Sequence, residues 1–394
     1  MRHRIVYVQY TNPAGYPPLE HSSRILAGKG WKVLFLGTGA QGANALEFPP
    51  HPNIQVRKMG FCSAGWLQKV HYFGFGLWTV LWVLLWRPKW IYASDPLSCP
   101  VALTLNFLPW LRVIYHEHDS PAAKNQNVNV KSESPDLRPS MSSFQRFVMW
   151  SRRKLACRAS LCVLPNEKRI DHFKEQTGTT RPVVCVWNCP RLEEAEAVAP
   201  KVTNGKFIVF YHGSIVPSRL PLTVVEALRH LPGTVILRIA GYETAGHRGY
   251  VDMIRSEAVR AGVESRIEFL GAFSRYNLLA QCRQGNVGLS FMPFESADLN
   301  MSAMVGASNK PFDYLACGLA LLVSDLPDWE KMFVEPGYGL ACDPEDPASI
   351  AAALGWFIEH AEETRRMGEC GRNRILKEWN YEKQFEQLSG MMLY

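Results

Sequence analysis

No two of the ten cysteines stand at the C-x-x-C spacing of a zinc or dithiol site; the closest pairs are Cys157/Cys162 and Cys185/Cys189. That spacing excludes a zinc ribbon or thioredoxin-like motif, and the thiols read as reduced and cytosolic. No apolar run reaches the ~18 residues that a bilayer span needs. Residues 1–8 are basic, but their apolar stretch is too short for a secretory signal and no small-residue cleavage site follows. No recognised nucleic-acid module is present either. With 47% apolar and 20% charged residues, the composition also excludes a disordered, collagenous or disulfide-scaffold chain. At 394 residues the chain is too long for one ordinary core and reads as two or three domains.

The charge is unevenly spread. Residues 1–204 hold 25 Lys+Arg against 13 Asp+Glu, and residues 205–394 hold 18 against 23, so the halves stand at +12 and −5. A basic half suits an anionic membrane, a phosphorylated ligand or nucleic acid.

β-rich runs alternate with helical patterns throughout. In the first half, strands are predicted at 4–10, 32–37, 54–59, 90–94, 113–116, 161–165 and 183–187, with a helix over 19–29. Residues 188–205 break the rhythm with prolines and an acidic cluster, and read as a linker. The second half restarts with strands at 207–213, 234–241, 267–270, 287–292 and 320–324, and a helix over 221–231. This alternation predicts an α/β protein of two doubly wound Rossmann-like domains with parallel sheets, facing a central cleft where ligands meet the carboxyl ends of the strands.

The most informative run is 308–325, Ser-Asn-Lys-Pro-Phe-Asp-Tyr-Leu-Ala-Cys-Gly followed by an apolar strand. Ser308 or Asn309 can cap a helix that Pro311 opens and Gly318 closes. Its N-terminus, with Lys310, would attract a phosphate, and Asp313 offers two acceptor oxygens to a ribose. The plainer alternative is a capped helix with a solvated Lys310 and an Asp313 that offsets the dipole. The run resembles the signature Asn-Lys-x-Phe-Glu/Asp-Tyr-x-Ala-x-Gly of family-4 retaining glycosyltransferases, and the resemblance extends over nearly the whole chain. It implies a GT-B fold with Asn309, Lys310 and Asp313 in a nucleotide-sugar site. Many members carry a Glu eight residues before the ribose-binding acid, where this chain has Val305; Glu295 and Asn300 are candidate substitutes.

Three further loops follow strand ends. In 211–219, Gly213 permits close backbone approach and Arg219 can neutralise a diphosphate. The family usually has Arg where Ser214 stands and Lys where Arg219 stands. In 113–121, His116-Glu-His118-Asp119 suggests metal ligation, but Ser120 and Pro121 break the hydrolase pattern His-x-His-x-Asp-His. A structural pairing of these histidines with Glu117 or Asp119 is the alternative. The resemblance places His118 beside the transferred sugar. In 12–18, Gly15 would let the backbone approach a diphosphate or acceptor, as the corresponding loop does in the family; a plain turn is the equal alternative. The resemblance also implies a base near Gly241 and Phe273, and a C-terminal helix that crosses back. The expected domains are thus 1–190 for the acceptor, 205–375 for the nucleotide sugar, and 376–394 as the returning helix.

Residues 73–86 form an apolar run of 14 with basic flanks at Arg87 and Lys89. A fully buried helix is one reading, and shallow insertion by its tryptophans at an anionic lipid surface the other. Basic residues recur at Arg146, Arg152, Arg153, Lys154, Arg158, Lys168 and Arg169. The expected activity is sugar transfer from a nucleoside diphosphate sugar, the co-substrate, to a sugar or lipid-linked acceptor in polysaccharide or glycoconjugate synthesis. No resident cofactor, metal or nucleic acid is expected. The expected location is cytoplasmic, free or peripheral on the inner face of the membrane. A nucleotide-sugar epimerase or hydrolase on the same fold, and an inactive nucleotide-sugar binder, are the alternatives.

Overall fold

The computed structural model describes residues 3–42, 45–121, 141–197 and 205–393; residues 198–204 of the expected linker lie outside the described residues. Seven strands form the first sheet: Arg4–Val8 (β1), Lys32–Thr38 (β2), Ile54–Met59 (β3), Trp90–Ser94 (β4), Arg112–His116 (β5), Leu161–Leu164 (β6) and Val183–Cys185 (β7). They run parallel in the order β3-β2-β1-β4-β5-β6-β7. The central strands are apolar almost without interruption because helices cover both faces; every residue of β4 is buried.

The second sheet has six parallel strands: Phe207–Ile215 (β8), Val235–Glu243 (β9), Ile267–Gly271 (β10), Val287–Ser290 (β11), Ala320–Ser324 (β12) and Gly339–Cys342 (β13). Their order is β10-β9-β8-β11-β12-β13. The short β13 is absent from the strands read in the sequence. Strand order reverses at β1/β4 and at β8/β11, and each reversal opens a crevice at the carboxyl ends of its own sheet.

The chain divides into two compact units. The first runs to Asn188 and takes in Ala297–Ala307 and the residues from Tyr381 onward; the second comprises Cys189–Ser296 and Ser308–Asn380. Within the first unit, Tyr381, Phe385 and Leu388 of helix Tyr381–Met391 join Ile5, Tyr7 and Phe35 in one core cluster. Residues 297–307 fall inside the 205–375 stretch read as one domain, yet they pack with the first unit.

Helix Trp66–Trp86 is longer than the 73–86 run and is not fully buried. Tyr72, Phe75, Thr79 and Val83 face inward, whereas Leu77 is 70% and Leu85 79% exposed. Trp78, Trp82 and Trp86 pack against the core cluster. Among the described residues no helix is long and apolar enough to cross a membrane.

Candidate functional site

At the carboxyl end of β8 the chain turns at Gly213 with φ +109°, a backbone conformation that side chains resist. The turn makes room for Lys310. A Cβ on Gly213 would stand 3.0 Å from the lysine Cε and 3.4 Å from Nζ. Lys310 is only 4% exposed and its ammonium sits 5.5 Å above the centre of the Tyr211 ring. Burial, with neighbouring Arg219 adding to it and Asp313 pulling the other way, drives its pKa well below the ordinary lysine value. No described residue makes a hydrogen bond or ion pair with that ammonium. Gly213 pairs in register with Gly241, where a Cβ would lie 2.0 Å from the Gly213 carbonyl oxygen. Gly241 is therefore required by strand-to-strand backbone approach. Ser214 and Arg219 continue the same loop, and Tyr211 donates its hydroxyl hydrogen bond to the Ser214 carbonyl. Phe273 follows β10, half-buried.

Helix Lys310–Ala316 starts without a side-chain cap. The expected cap, Asn309, instead donates from Nδ2 to Asp313 Oδ2 at 3.2 Å. Asp313 is 0% exposed. Its Oδ1 accepts from Arg275 Nη2 at 2.9 Å and its Oδ2 from Arg275 Nη1 at 3.2 Å. The same guanidinium binds Glu194 through Nε at 2.6 Å and Nη2 at 2.9 Å. As folded, Asp313 is thus buried with both carboxylate oxygens engaged by Arg275 and Asn309 and turns no exposed acceptor toward a ribose. His212 lies with Nε2 3.5 Å from Asp313 Oδ2, and its backbone N–H donates to the Tyr314 hydroxyl at 3.0 Å. Burial, Lys310 and Arg275 hold His212 neutral.

In the first unit, groups gather at the ends of β1, β4 and β5. Asp95, the first residue after β4, has φ +62° and ψ 166°, a strained conformation for a side-chain-bearing residue. Its Oδ1 accepts the His118 backbone N–H at 3.0 Å, and its Oδ2 faces Gln9 Nε2 at 3.5 Å. Burial, with Asp119 and Glu117 nearby, raises the Asp95 carboxyl to about 7. The buried His118 ring places Nε2 3.1 Å from Ser94 Oγ, with the Tyr16 ring 5.4 Å away. Burial and Arg169, against an opposing pull from Asp119, lower His118 to about 4, so its imidazole is neutral at physiological pH. Its Nδ1 has no partner among the described residues.

The neighbours of His118 are committed elsewhere. His116 is fully buried with Nδ1 2.6 Å from the Tyr92 hydroxyl. Glu117 receives a paired hydrogen bond from Arg152, Nε at 2.5 Å and Nη2 at 2.7 Å, and a third from Tyr115 at 2.6 Å. Asp119 has a 75% exposed side chain. Gly15 ends the 3-10 turn Pro13–Gly15, exposed, with ordinary backbone angles and nothing within 4 Å of an added Cβ.

Segment Ala297–Ala307 is tied down by Arg169, whose buried guanidinium donates to the carbonyls of Ala303 at 2.9 Å, Asn300 at 2.8 Å and His118 at 2.7 Å. Asn300 brackets Ser120, accepting its N–H at 2.8 Å and donating to its carbonyl at 3.1 Å. Asn300 is therefore occupied as a tie. Val305 contributes its carbonyl to Asn166 Nδ2, and Glu295 is exposed.

Residues 223–390 match a family described as glycosyl transferase-like. No curated protein matches the chain. Among solved structures, sucrose-phosphate synthase from Thermosynechococcus elongatus is similar with a TM-score of 0.70 at 14% identity, over 100% of this chain and 98% of that one. Anabaena Alr3699/HepE, in complex with UDP and glucose, reaches 0.71 at 15% identity over 100% of both chains. WaaG, a glycosyltransferase involved in lipopolysaccharide biosynthesis, reaches 0.66 at 12% identity over 98% of this chain and 99% of that one. The fold is GT-B.

Within this GT-B chain the two candidate sites occupy corresponding places, the strand-order reversal of each sheet. Among the described residues no group of three or more His, Cys, Asp or Glu side chains could hold a metal ion. Sequence reading missed Arg275, Glu194 and Asp95, and took the buried Arg169 only as one of a run of basic residues. Asp95 carried a usable signal, an acid at a strand's carboxyl end. Arg275 carried none, because its partners lie 81 and 38 residues away.

Proposed function

We propose that this chain is a retaining glycosyltransferase that moves a hexosyl group from a nucleoside diphosphate sugar to an acceptor in glycan synthesis. The observation that carries the reading is the buried Lys310 ammonium, folded against Gly213 with no hydrogen bond or close ion pair to a described residue and only the longer-range pull of Asp313. A buried cation without a partner is costly, and an anionic ligand relieves that penalty. Arg219 is close enough to depress the lysine's pKa further, so a diphosphate here meets two cations. Charge grows on that diphosphate as the glycosidic bond breaks, and fixed cations stabilise it without a resident metal or cofactor. The base rests near Gly241 and Phe273. Asp313 acts by anchoring Arg275 and Asn309 rather than by binding ribose.

The acceptor side belongs to the first unit, where neutral His118 offers its open nitrogen to a hydroxyl and Gly15 leaves the loop after β1 accessible. No protein base is assigned: the departing phosphate takes the acceptor's proton, as the family resemblance implies. The epimerase or hydrolase alternative loses support because Glu117 and His116, two of its four proton carriers, are locked by Arg152 and Tyr92.

The outer face of helix Trp66–Trp86 supports peripheral membrane association and a lipid-linked acceptor. Between residues 48 and 116 there is one acidic residue, Asp95, against six Lys+Arg. Arg57 and Arg4 lie over the Trp82 and Trp86 rings, and Arg87 over Trp110. Apolar side chains beside cations suit an anionic leaflet on the cytoplasmic side. Titration calorimetry with UDP, followed by assay of sugar release and transfer from UDP-sugars, tests the donor half. Lys310→Ala should weaken UDP by at least about tenfold, roughly the value of one charge-assisted contact, and unchanged affinity would remove Lys310 from the site.

A further inference from the structure

The inner side of the long apolar helix borders a groove of about 310 Å3 that sugar transfer itself leaves unused. Phe73, Gly76 and Val80 of helix Trp66–Trp86 form one wall, Thr104 of helix Cys99–Leu105 the other, and Phe147 and Leu97 close it. Its polar groups are already satisfied. Thr104 Oγ1 donates to the Pro100 carbonyl at 3.1 Å, and the Tyr72 hydroxyl to the Leu97 carbonyl at 2.7 Å. A peptide laid there would leave its own N–H and C=O groups without partners, whereas a hydrocarbon chain demands none.

The groove touches two features already described. Phe73, 57% exposed, belongs both to the groove and to the exposed apolar face. Leu97 lies two residues after Asp95, the carboxylate that holds the His118 backbone. Leu77, 70% exposed, carries the same groove onto the apolar face, so the groove borders both the face suited to lipid and the loop that carries Asp95. We propose that it seats the hydrocarbon chain of a lipid-linked acceptor, with the acceptor's head group at Asp95 and His118. The inference rests on the lipid-linked acceptor reading of the first unit, and it adds where that acceptor's chain sits.

Farnesyl phosphate is the probe, with inorganic phosphate as its head-group control and UDP as an independent ligand, all titrated into the full chain. A Cβ at Gly76 would meet no atom within 4 Å, and leucine forms helix better than glycine, so Gly76→Leu fills the groove without a backbone clash. Farnesyl phosphate should bind more tightly than phosphate, and Gly76→Leu should weaken it by about tenfold, the value of burying roughly two methylenes, while UDP affinity stays the same. Thr104→Phe, from the opposite wall, should do likewise. Farnesyl phosphate binding no better than phosphate, or both variants within about twofold of the parent, would overturn the assignment. So would a concentration-dependent dimer that Gly76→Leu dissolves, since the groove would then be a contact between copies. Loss of UDP binding with the farnesyl phosphate results intact would sink the donor reading and leave the groove standing.

Discussion

Lys310 and Gly213 are fitted to each other: the lysine Cε lies 3.0 Å from the position a Cβ on Gly213 would take, and Gly213 holds φ +109°. Any side chain there meets both the strained backbone angle and the lysine stem. Gly213→Ala should destabilise the protein by about 1–3 kcal/mol and weaken UDP binding as Lys310 shifts. Thermal unfolding and calorimetry read the two effects, and a variant with parental stability and affinity would show that the corner tolerates rearrangement.

Lys310 should set stability against binding. Its folded pKa lies well below the unfolded value of 10.5, so between those values the unfolded chain holds more protons and stability rises with pH. The penalty is fully present below the folded pKa and fades toward 10.5. Lys310→Met should therefore raise the Tm near neutral pH while abolishing UDP binding. Above the folded pKa of Lys310, UDP binding to the parent should take up a proton, visible as a dependence of the measured heat on buffer ionisation enthalpy. A lower Tm in Lys310→Met would mean that the ammonium is paired in the free protein.

Arg275 carries a carboxylate on each side, Glu194 and Asp313. Arg275→Ala leaves two largely buried acids facing each other and should destabilise by about 3–5 kcal/mol in chemical denaturation. The triple change Arg275→Met, Glu194→Gln, Asp313→Asn should recover much of that loss. Equal stability of the single variant and the parent would free Asp313 for a ligand role.

Asp95 should make stability fall as pH rises. Its carboxyl titrates at about 7 in the folded chain against 3.8 when unperturbed, so between those values the native state holds the extra proton. Asp95→Asn, neutral throughout, should raise the Tm at pH 8 and bring no gain at pH 5. A pH-independent difference would show that the carboxyl keeps an ordinary value.

Membrane association should follow the leucines, not the tryptophans. Replacing Leu77, Leu81 and Leu85 with Ser should sharply reduce binding to vesicles containing anionic lipid and leave the Tm unchanged, because all three are exposed. Trp82→Ser and Trp86→Ser should instead lower stability by about 1–3 kcal/mol, since those rings pack on the core. Vesicle binding that persists in the triple leucine variant would reject this face as the lipid contact.

Local chemistry was legible in the sequence wherever neighbours along the chain do the work. The apolar runs fixed twelve of the thirteen strands of the two sheets, and Gly213, Lys310 and His118 stood out as residues at strand or helix ends. Β13, four residues long and only partly buried, was too short to register. Asp313 was read as a ribose ligand because its position fits the resemblance, but its fate depends on Arg275, which spacing along the chain does not bring near. The same holds for Asn300, which looked like a donor-sugar contact and is taken by Ser120.

The order of apolar and polar residues alone determined two parallel sheets and their helical layers, because burial and backbone sterics act over a few residues, whereas the meeting of Gly213 with Lys310, 97 positions on, came only with folding. Which charges stay free, which helix face meets solvent and which segment joins which unit were decided only by folding, because an ion pair or a packed face depends on what arrives from elsewhere in the chain. Lys310 was left without a described hydrogen bond or close ion pair while Asp313, three residues on, was engaged by Arg275 and Asn309, and no pattern in the run 308–318 distinguishes the two outcomes.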